Sequence, residues 1–227
     1  MNTQPGLAPL AAAALDFIAD GSVVGLGSGR AATAFVHALG QRVQHGLRVR
    51  GVATSTATAN LAARLGIPLA TLDEVADIDV AVDGADEVDP DLNLIKGLGG
   101  ALIREKIVAA AARRLVILVG AEKVVPVLGS HGLLPVEIVP FDFSFCQRRL
   151  SQFGYPPTPR QAGGRLFVTD NGNYVLDCQI PVLRNPADVE QALRAIPGIV
   201  GTGLFLNMAD TVLIQNGEQV QTRRRGN

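Results

Sequence analysis

Short apolar runs alternate with amphipathic segments along the first half of the chain. The apolar runs have the length of buried strands and cover residues 22–26, 47–52, 67–69, 78–82 and 115–119. The amphipathic segments have helical spacing and cover residues 7–19, 30–39, 60–65 and 101–114. Strands that alternate with helices are typical of a parallel sheet with helices on both faces.

The pattern changes after residue 123. Strands are predicted at 136–139, 166–169, 174–179 and 199–206, and helices at 142–153 and 187–196. The sequence Asp170-Asn171-Gly172-Asn173 predicts a hairpin turn between two of these strands, while residues 154–164, rich in Pro and Gly, predict a loop. The order β-α-β-β-α-β is that of the split βαβ, ferredoxin-like arrangement.

These elements predict an α/β protein with two domains. The main domain is Rossmann-like with a parallel sheet and covers residues 1–132 plus 205–227. A smaller α+β, ferredoxin-like domain is inserted at residues 133–204. The segment 211–221, with a turn at Asn216-Gly217, is expected to return to the main sheet, and residues 223–225 are expected to form a solvated tail.

Composition narrows the class of protein. The chain has 227 residues, 48% of them hydrophobic, which is enough to fill a sizeable core. Its net charge of −1 argues against general binding to nucleic acid or to an anionic membrane, and no apolar run approaches the ~20 residues of a membrane span. The N-terminal segment carries Asp16 and lacks a basic region, which favours a helix over a signal peptide. Cys146 and Cys178 show neither a metal-binding spacing nor a disulfide framework, which is typical of a reducing cytoplasm.

The candidate chemistry is concentrated between residues 78 and 108. Asp83 and Asp86 follow a buried strand, Lys96 precedes a glycine-rich turn at 97–100, and Glu105 lies on the next helix. Enzymes with a parallel sheet build their sites at such strand ends and helix starts. Glu105 is either a general base or an exposed charge in the cluster 104–106.

The two aspartates could bind sugar hydroxyls, exchange protons or hold a divalent metal. Metal binding is the weaker interpretation because no histidine lies nearby and Glu87 and Asp89 are expected to face water. Lys96, beside free backbone N–H groups, could stabilise an oxyanion or form a Schiff base.

Two polar turns follow the first two predicted strands. Gly27-Ser28-Gly29 is either a phosphate cradle at a helix start or a tight turn that needs glycine, and Arg30 stands where a dinucleotide fingerprint would have its third glycine. The hydroxyls of residues 54–58 either cap the following helix or line a ligand crevice. Together these groups suit proton transfer α to a carbonyl on a small phosphorylated sugar.

The central motif resembles a known family. The stretch DGADEVDPDLNLIKGLGGALIREKIVA, starting at Asp83, is similar to the signature of A-type ribose-5-phosphate isomerases. The similarity continues through Leu134-Pro135-Val136-Glu137, residues 169–173 and the segment 197–205, so that it spans roughly residues 21–210. The resemblance implies interconversion of ribose 5-phosphate and ribulose 5-phosphate in the pentose phosphate pathway, with no cofactor or metal, by a cytoplasmic homodimer or homotetramer.

The resemblance also implies roles for single residues. Glu105 matches the proton-shuttling base, Asp83 and Asp86 match the aspartates that handle the sugar hydroxyls and ring opening, and Lys96 matches the lysine near the enediolate. The remaining positions match substrate-binding residues: Ser28, Gly29, Arg30, Ala31, Gly84, Ala85, Gly97, Leu98, Gly99 and Lys123.

This sequence departs from the family pattern at three places. The family often has a lysine near the N-terminus, and this chain has no Lys or Arg before Arg30. The family's phosphate loop reads GTGST, whereas here Arg30 and Ala31 replace two hydroxyl residues. Arg30 either supplies a new charge for the phosphate or points to solvent. Leu98 replaces a glycine of the family's KGGGG loop.

Three other functions compete with this interpretation. A non-catalytic sugar-phosphate sensor is disfavoured by the intact Glu105 and Lys96. An isomerase for another sugar phosphate is favoured by the altered phosphate loop. A nucleotide-dependent oxidoreductase is disfavoured by the glycine pattern.

Overall fold

The computed structural model describes residues 5–226, and the chain forms two compact units. Within the described range, the first unit contains residues 5–85, 104–123 and 208–226, and the second contains residues 86–103 and 124–207. The predicted ferredoxin-like domain, 133–204, lies wholly inside the second unit, which also takes in 86–103, 124–132 and 205–207. The predicted domain boundaries therefore stay a prediction, and residues 1–4 and 227 of the predicted main domain lie outside the described residues.

The elements of the described chain are as follows. The helices are α1 (Ala8–Leu15), α2 (Gly29–Gln44), α3 (Thr56–Arg64), α4 (Leu102–Ala111), α5 (Phe143–Gln152) and α6 (Pro186–Arg194), with 3₁₀ turns at Pro5–Leu7, Ala121–Lys123 and Pro140–Asp142. The strands are β1 (Val23–Leu26), β2 (Arg50–Ala53), β3 (Val80–Gly84), β4 (Glu87–Val88), β5 (Leu94–Ile95), β6 (Leu115–Gly120), β7 (Leu133–Ile138), β8 (Pro157–Pro159), β9 (Gln161–Ala162), β10 (Arg165–Leu166), β11 (Tyr174–Gln179), β12 (Ile199–Thr202), β13 (Leu204–Phe205), β14 (Thr211–Asn216) and β15 (Gln219–Arg224). No helix among these is long and apolar enough to cross a membrane.

The first unit is built on a six-stranded sheet in the order β15-β14-β6-β3-β1-β2. Its strands pair in parallel except for the antiparallel edge pair β14–β15. Strands β1 and β6 are almost wholly buried, as expected for a parallel sheet covered on both faces. The predicted α/β class is confirmed.

The order of this sheet creates a switch point between β1 and β3. From β1 the chain goes to β2 on one side and then returns to β3 on the other. In open parallel sheets, ligands bind beyond the carboxyl ends of the strands at such a point. Here β1 is followed by Gly27 and Ser28, and Asp83 lies near the end of β3.

The second unit contains a four-stranded antiparallel sheet in the order β12-β7-β11-β8. Helix α5 connects β7 to β8, and α6 connects β11 to β12. Numbered by their order along the chain, the four strands of this sheet lie as 4-1-3-2, which confirms the predicted split βαβ arrangement. Its core includes Leu134, Val136 and Ile138 from β7, with Leu150 from α5 and Leu193 from α6.

Several predicted elements differ from the structure. Residues 67–69 form a single bridge, Gly51 to Leu69, and not a strand. The predicted loop 154–164 contains β8 and β9, because β8 gains its order from pairing with β11. The predicted strand 166–169 is wrong: only Leu166 lies in a strand, β10, and β8 takes the place of 166–169 as the second strand of the split βαβ unit. Arg223 and Arg224 belong to β15 and not to a solvated tail, because this segment pairs with β14.

The predicted strand 199–206 divides into β12 and β13, which lie in different sheets. The division falls at Gly203, whose backbone comes so close to Lys96 that an added Cβ would stand 2.2 Å from the Lys96 carbonyl oxygen. Beyond this close approach the chain pairs with β5 in the three-stranded sheet β13-β5-β4.

Candidate active site

Asp83 is a buried carboxylate at the end of β3. Its side chain is 4% exposed, and Oδ1 accepts backbone hydrogen bonds from Gly84 (2.7 Å) and Ser28 (3.2 Å). A Cβ added to Gly27 would stand 2.3 Å from the same Oδ1. Glycine at position 27 therefore lets the backbone after β1 approach this carboxylate, and two N–H donors compensate part of the cost of burying it.

A cluster of hydroxyls lies beside Asp83, at the ends of β1 and β2. Oγ of Ser28 lies 2.8 Å from Oγ1 of Thr54 and 2.9 Å from Oγ of Ser55, and Thr58 joins the same cluster. We refer to Ser28, Thr54, Ser55 and Thr58 as the hydroxyl cluster. Ser55 also caps α3 by accepting the N–H of Thr58 at 3.1 Å, so the capping interpretation is confirmed for this one hydroxyl.

The start of α2 lies at the carboxyl end of β1. Ser28 precedes the helix, yet its side chain makes no capping bond because its hydroxyl belongs to the hydroxyl cluster. Gly29 has φ of +86°, a conformation that glycine adopts without strain. Arg30 is exposed on the first turn, and Ala31 is half-buried behind it. A 16-residue helix with an exposed guanidinium at its start combines two features that attract an anion.

Glu105 is buried on α4, with 4% of its surface exposed, so the alternative of a solvated surface charge is wrong. Three residues later, Val108 packs on Gly25 of β1, where an added Cβ would stand 2.6 Å from its Cγ1. Residues three apart share a helix face, and α4 starts near the carboxyl edge of the sheet because it connects β3 to β6. A step of about 4.5 Å along the helix from Val108 therefore brings Glu105 to the level where β1 and β3 end.

Lys123 ends the 3₁₀ turn Ala121–Lys123, which directly follows β6. Because β6 runs parallel to β3, this turn lies at the same carboxyl edge as Asp83. Lys123 is half-buried. The first unit thus gathers Ser28, Asp83, Glu105 and Lys123 at one edge of its sheet.

Lys96 lies in the second unit, just after β5, and is 3% exposed. Its ammonium is 5.4 Å from the centre of the Phe205 ring, and its backbone N–H donates to the Gly203 carbonyl at 2.8 Å. A cation against an aromatic face gains electrostatic stabilisation while it is shielded from water. Lys96 is therefore a buried cation held by β13.

The loop after Lys96 is held by Asp86. Oδ2 of Asp86 accepts the N–H of Leu98 at 3.1 Å, and Gly97 has φ of +109°. Leu98 is 45% exposed and does not have a positive φ, so the backbone at this position does not require the glycine that the family has there. Gly99 is exposed beside it.

The expectation that Glu87 and Asp89 face water is wrong. Glu87 is buried because its two carboxylate oxygens accept the N–H groups of Gly129 and His131, each at 2.6 Å. Asp89 is buried and accepts the N–H of Asn93 at 2.8 Å. Both carboxylates fix turns of the second unit, and no three acidic, His or Cys residues within 5–226 are arranged to hold a metal ion.

Two groups of residues escaped prediction. The hydroxyls of the cluster were visible as the turn at 54–58, but nothing local to that turn shows that Ser28 joins them. Arg160, which bonds to the loop carbonyls of Gly97 and Leu98, lies in a segment that read as a loop. Its partners are more than 60 residues away along the chain, so no local sequence pattern predicts the contact.

Comparison with known proteins gives consistent matches. Residues 50–219 match the family model described as ribose 5-phosphate isomerase A (phosphoriboisomerase A). A ribose-5-phosphate isomerase A from Sphingopyxis alaskensis is 45% identical over 213 residues, covering 94% of this chain and 93% of that protein.

Two solved structures are similar over nearly the whole chain. The ribose 5-phosphate isomerase A of Methanocaldococcus jannaschii has 38% identity and a TM-score of 0.91, covering 96% of this chain and 97% of its own. A D-ribose-5-phosphate isomerase in complex with phospho-erythronic acid has 39% identity and a TM-score of 0.94, covering 99% of this chain and all of its own (100%).

Proposed function

This chain belongs to the ribose 5-phosphate isomerase A family, and we propose that Glu105 is the base with which it interconverts D-ribose 5-phosphate and D-ribulose 5-phosphate. The enzyme is an aldose-ketose isomerase. The observation that carries the role of Glu105 is a buried carboxylate on α4, one helical turn before the contact of Val108 with Gly25 of β1. A carboxylate that water does not solvate is suited to take a proton from carbon.

In the proposed mechanism the furanose opens first. A carboxylate of Asp83 or Asp86 assists the proton movement between the ring oxygen and the hydroxyl at C1. The two backbone N–H groups on Oδ1 of Asp83 fix the orientation of that carboxylate. A fixed acceptor loses less entropy when the sugar hydroxyl binds.

Glu105 then removes the proton from C2 of the open aldose, and negative charge develops on the enediolate oxygens. Lys96 and the N–H groups of the loop 97–99 stabilise this charge. A proton then passes from the O2 hydroxyl to the O1 oxygen, Glu105 returns its proton to C1, and the C2 carbonyl of the ketose results. Phospho-erythronic acid, which is bound in a related structure, combines a phosphate with a carboxylate, and a carboxylate resembles the charged enediolate oxygens.

The phosphate binds at the start of α2 in this proposal. Backbone N–H groups of residues 29–31 and the guanidinium of Arg30 supply the attraction, and Lys123 adds charge at the same edge of the sheet. Ala31 has no hydroxyl to donate to the phosphate. In this proposal the positive charge of Arg30 takes the place of the hydroxyl hydrogen bonds that the family's loop makes to the phosphate.

We also propose the setting in which the enzyme works. Its reaction belongs to the non-oxidative pentose phosphate pathway, and its two buried cysteine thiols, neither in a disulfide, suit a reducing cytoplasm. The resemblance to the family supports a homodimer or homotetramer, which light scattering on the purified protein would test.

One assay tests the activity directly. The pure protein is incubated with ribose 5-phosphate and a chelator, with no added cofactor, and the appearance of ribulose 5-phosphate is followed. Parallel reactions with other aldose phosphates test the alternative substrate. Ketose formed fastest from ribose 5-phosphate supports the proposal, whereas binding without conversion would favour a sugar-phosphate sensor.

A further inference from the structure

The Gly97–Leu98 loop is bound by a guanidinium. Nη1 of Arg160 donates to the carbonyl oxygens of both Gly97 (2.8 Å) and Leu98 (3.0 Å). The motif that starts at Asp83 ends well before this arginine. A cation that binds two successive carbonyls fixes the orientation of two successive peptide planes.

Arg160 is itself held on every side. Its Nε donates to Oδ2 of Asp177 at 2.9 Å, and Nη2 pairs with Oδ1 of the same carboxylate, which makes the contact bidentate. Its backbone N–H donates to Val175 of β11, and its carbonyl accepts from Phe167, whose ring centre lies 6.0 Å from the guanidinium. Both charged side chains are mostly buried, so little water screens the contact.

Phe167, which lies against Arg160, also packs on the far end of the loop. Gly100 has φ of +80°, and a Cβ added there would stand 2.4 Å from Cζ of Phe167. The N–H of Gly100 donates to the Gly97 carbonyl at 3.0 Å. The loop is therefore a fixed turn, held by Arg160 at two carbonyls and by Phe167 at its end.

The two hydrogen bonds from Arg160 also determine where the N–H groups of the loop point. In a trans peptide the C=O and N–H bonds point in opposite directions. The plane between residues 97 and 98 has its carbonyl on Arg160 and its N–H on Asp86. The plane between residues 98 and 99 also has its carbonyl on Arg160, so the N–H of Gly99 points away from the arginine. Gly99 itself is exposed.

We propose that Arg160 is a positioning residue for the isomerisation: by holding the carbonyls of Gly97 and Leu98 it aims the N–H of Gly99 at the developing enediolate. The inference rests on the proposed role of the loop 97–99 in binding that oxyanion. Arg160 touches no substrate in this account and acts only through the loop. Asp177 acts one step further away because it orients the guanidinium fork.

The test compares R160K with R165K. Arg165 is an exposed arginine of β10 and serves as the matched control. Lysine keeps the charge beside Asp177 but lacks the planar fork, so it cannot bind the carboxylate and both carbonyls together. We expect kcat of R160K to fall about 10²-fold, the usual cost of misplacing a reacting group by about 1 Å, while KM for ribose 5-phosphate stays close to that of the parent protein.

Two further measurements separate positioning from a structural role. Phospho-erythronic acid is the probe, because its carboxylate resembles the oxyanion, and R160K should weaken its binding far more than it changes KM. Amide hydrogen exchange at Leu98 and Gly99 should become faster in R160K and stay unchanged in R165K. The variant D177N keeps the guanidinium and should show a smaller effect in the same direction.

The outcomes are distinct. A kcat of R160K equal to that of R165K overturns the inference, as does a loss of activity that only matches the loss of folded protein in a thermal melt. Absence of isomerase activity in the parent protein would contradict the proposed function itself. An active parent with a normal R160K variant would contradict only the positioning role.

Discussion

The carboxylate of Asp83 occupies the space that a side chain at Gly27 would need, since a Cβ added to Gly27 would lie 2.3 Å from Oδ1. The first prediction follows from this contact. In G27A the carboxylate must move or the strand ends must separate, and overpacking of this kind costs about 1–3 kcal/mol of folding free energy. We expect a lower melting temperature together with a loss of turnover larger than the loss of folded protein.

The control for this variant is G6A. Gly6 has open space around its Cβ position and no positive φ, so alanine there should change neither property. If G27A turned over substrate at the parent rate, the packing of Gly27 against Asp83 would have no part in catalysis.

The second prediction concerns the base. E105Q keeps the shape of the buried side chain and removes its ability to accept a proton. Turnover of ribose 5-phosphate should fall by about 10²–10⁴, the usual contribution of a positioned general base, with a smaller change in KM. The measurement is steady-state kinetics in both directions. The matched variant E218Q changes an exposed glutamate between β14 and β15 and should behave like the parent protein. Normal isomerisation by E105Q would falsify the assignment.

The third prediction concerns phosphate binding. If Arg30 holds the phosphate, R30A removes a charge-assisted hydrogen bond worth about 1.5–3 kcal/mol. KM should then rise by about 10- to 100-fold, with kcat much less affected. The control is R64A, which removes another exposed arginine of the same unit, at the end of α3. An unchanged KM in R30A would show that this side chain points to solvent.

The fourth prediction concerns the buried thiol of Cys178. Burial, helped by the negative charge of Asp177, raises the pKa of this thiol to about 12. In the unfolded chain the thiol has the ordinary cysteine pKa of about 8.5. Burial of the neutral thiol therefore contributes stability below that pH, and this contribution is lost as the pH rises towards the folded-state pKa of about 12. The free energy of unfolding of the parent should therefore fall relative to C178A in alkaline solution.

Alkylation provides a second check on the same thiol. At about pH 8 iodoacetamide should modify native protein slowly, since the thiolate is the reactive form and both cysteines are buried. Unfolding by denaturant should expose both thiols to the reagent and make alkylation fast. Rapid modification of Cys178 in folded protein would contradict the burial of this side chain.

The parts of the fold that could be read from the sequence depend on local patterns. β1, β3 and β6 are apolar because a parallel sheet buries both faces, and the turn at Gly27 shows its glycines directly. The turn at 170–173 was also predictable, although a single bridge, Val168 to Tyr174, flanks it in place of the predicted strand pair. In each case the element is determined by the residues that form it.

The parts that could not be read depend on distant partners. Glu87 is buried because Gly129 and His131 supply donors from more than 40 residues away. β8 forms within a stretch rich in Pro and Gly because β11 offers it a free edge. Of the candidate site, the acid and base residues were visible as a motif, but the bond between Ser28 and Asp83 and the contact of Arg160 with the loop appear only once the chain is folded.

Helix α4 starts in the second unit with Leu102 and Ile103 and continues in the first from Arg104. The chain changes unit again after residues 85, 123 and 207. Neither unit can therefore be produced from one uninterrupted stretch of the gene. A single recombination event could not exchange either unit as one continuous gene segment. During synthesis, nearly the whole chain must leave the ribosome before the first unit has all its strands, because β14 and β15 lie near the C-terminus.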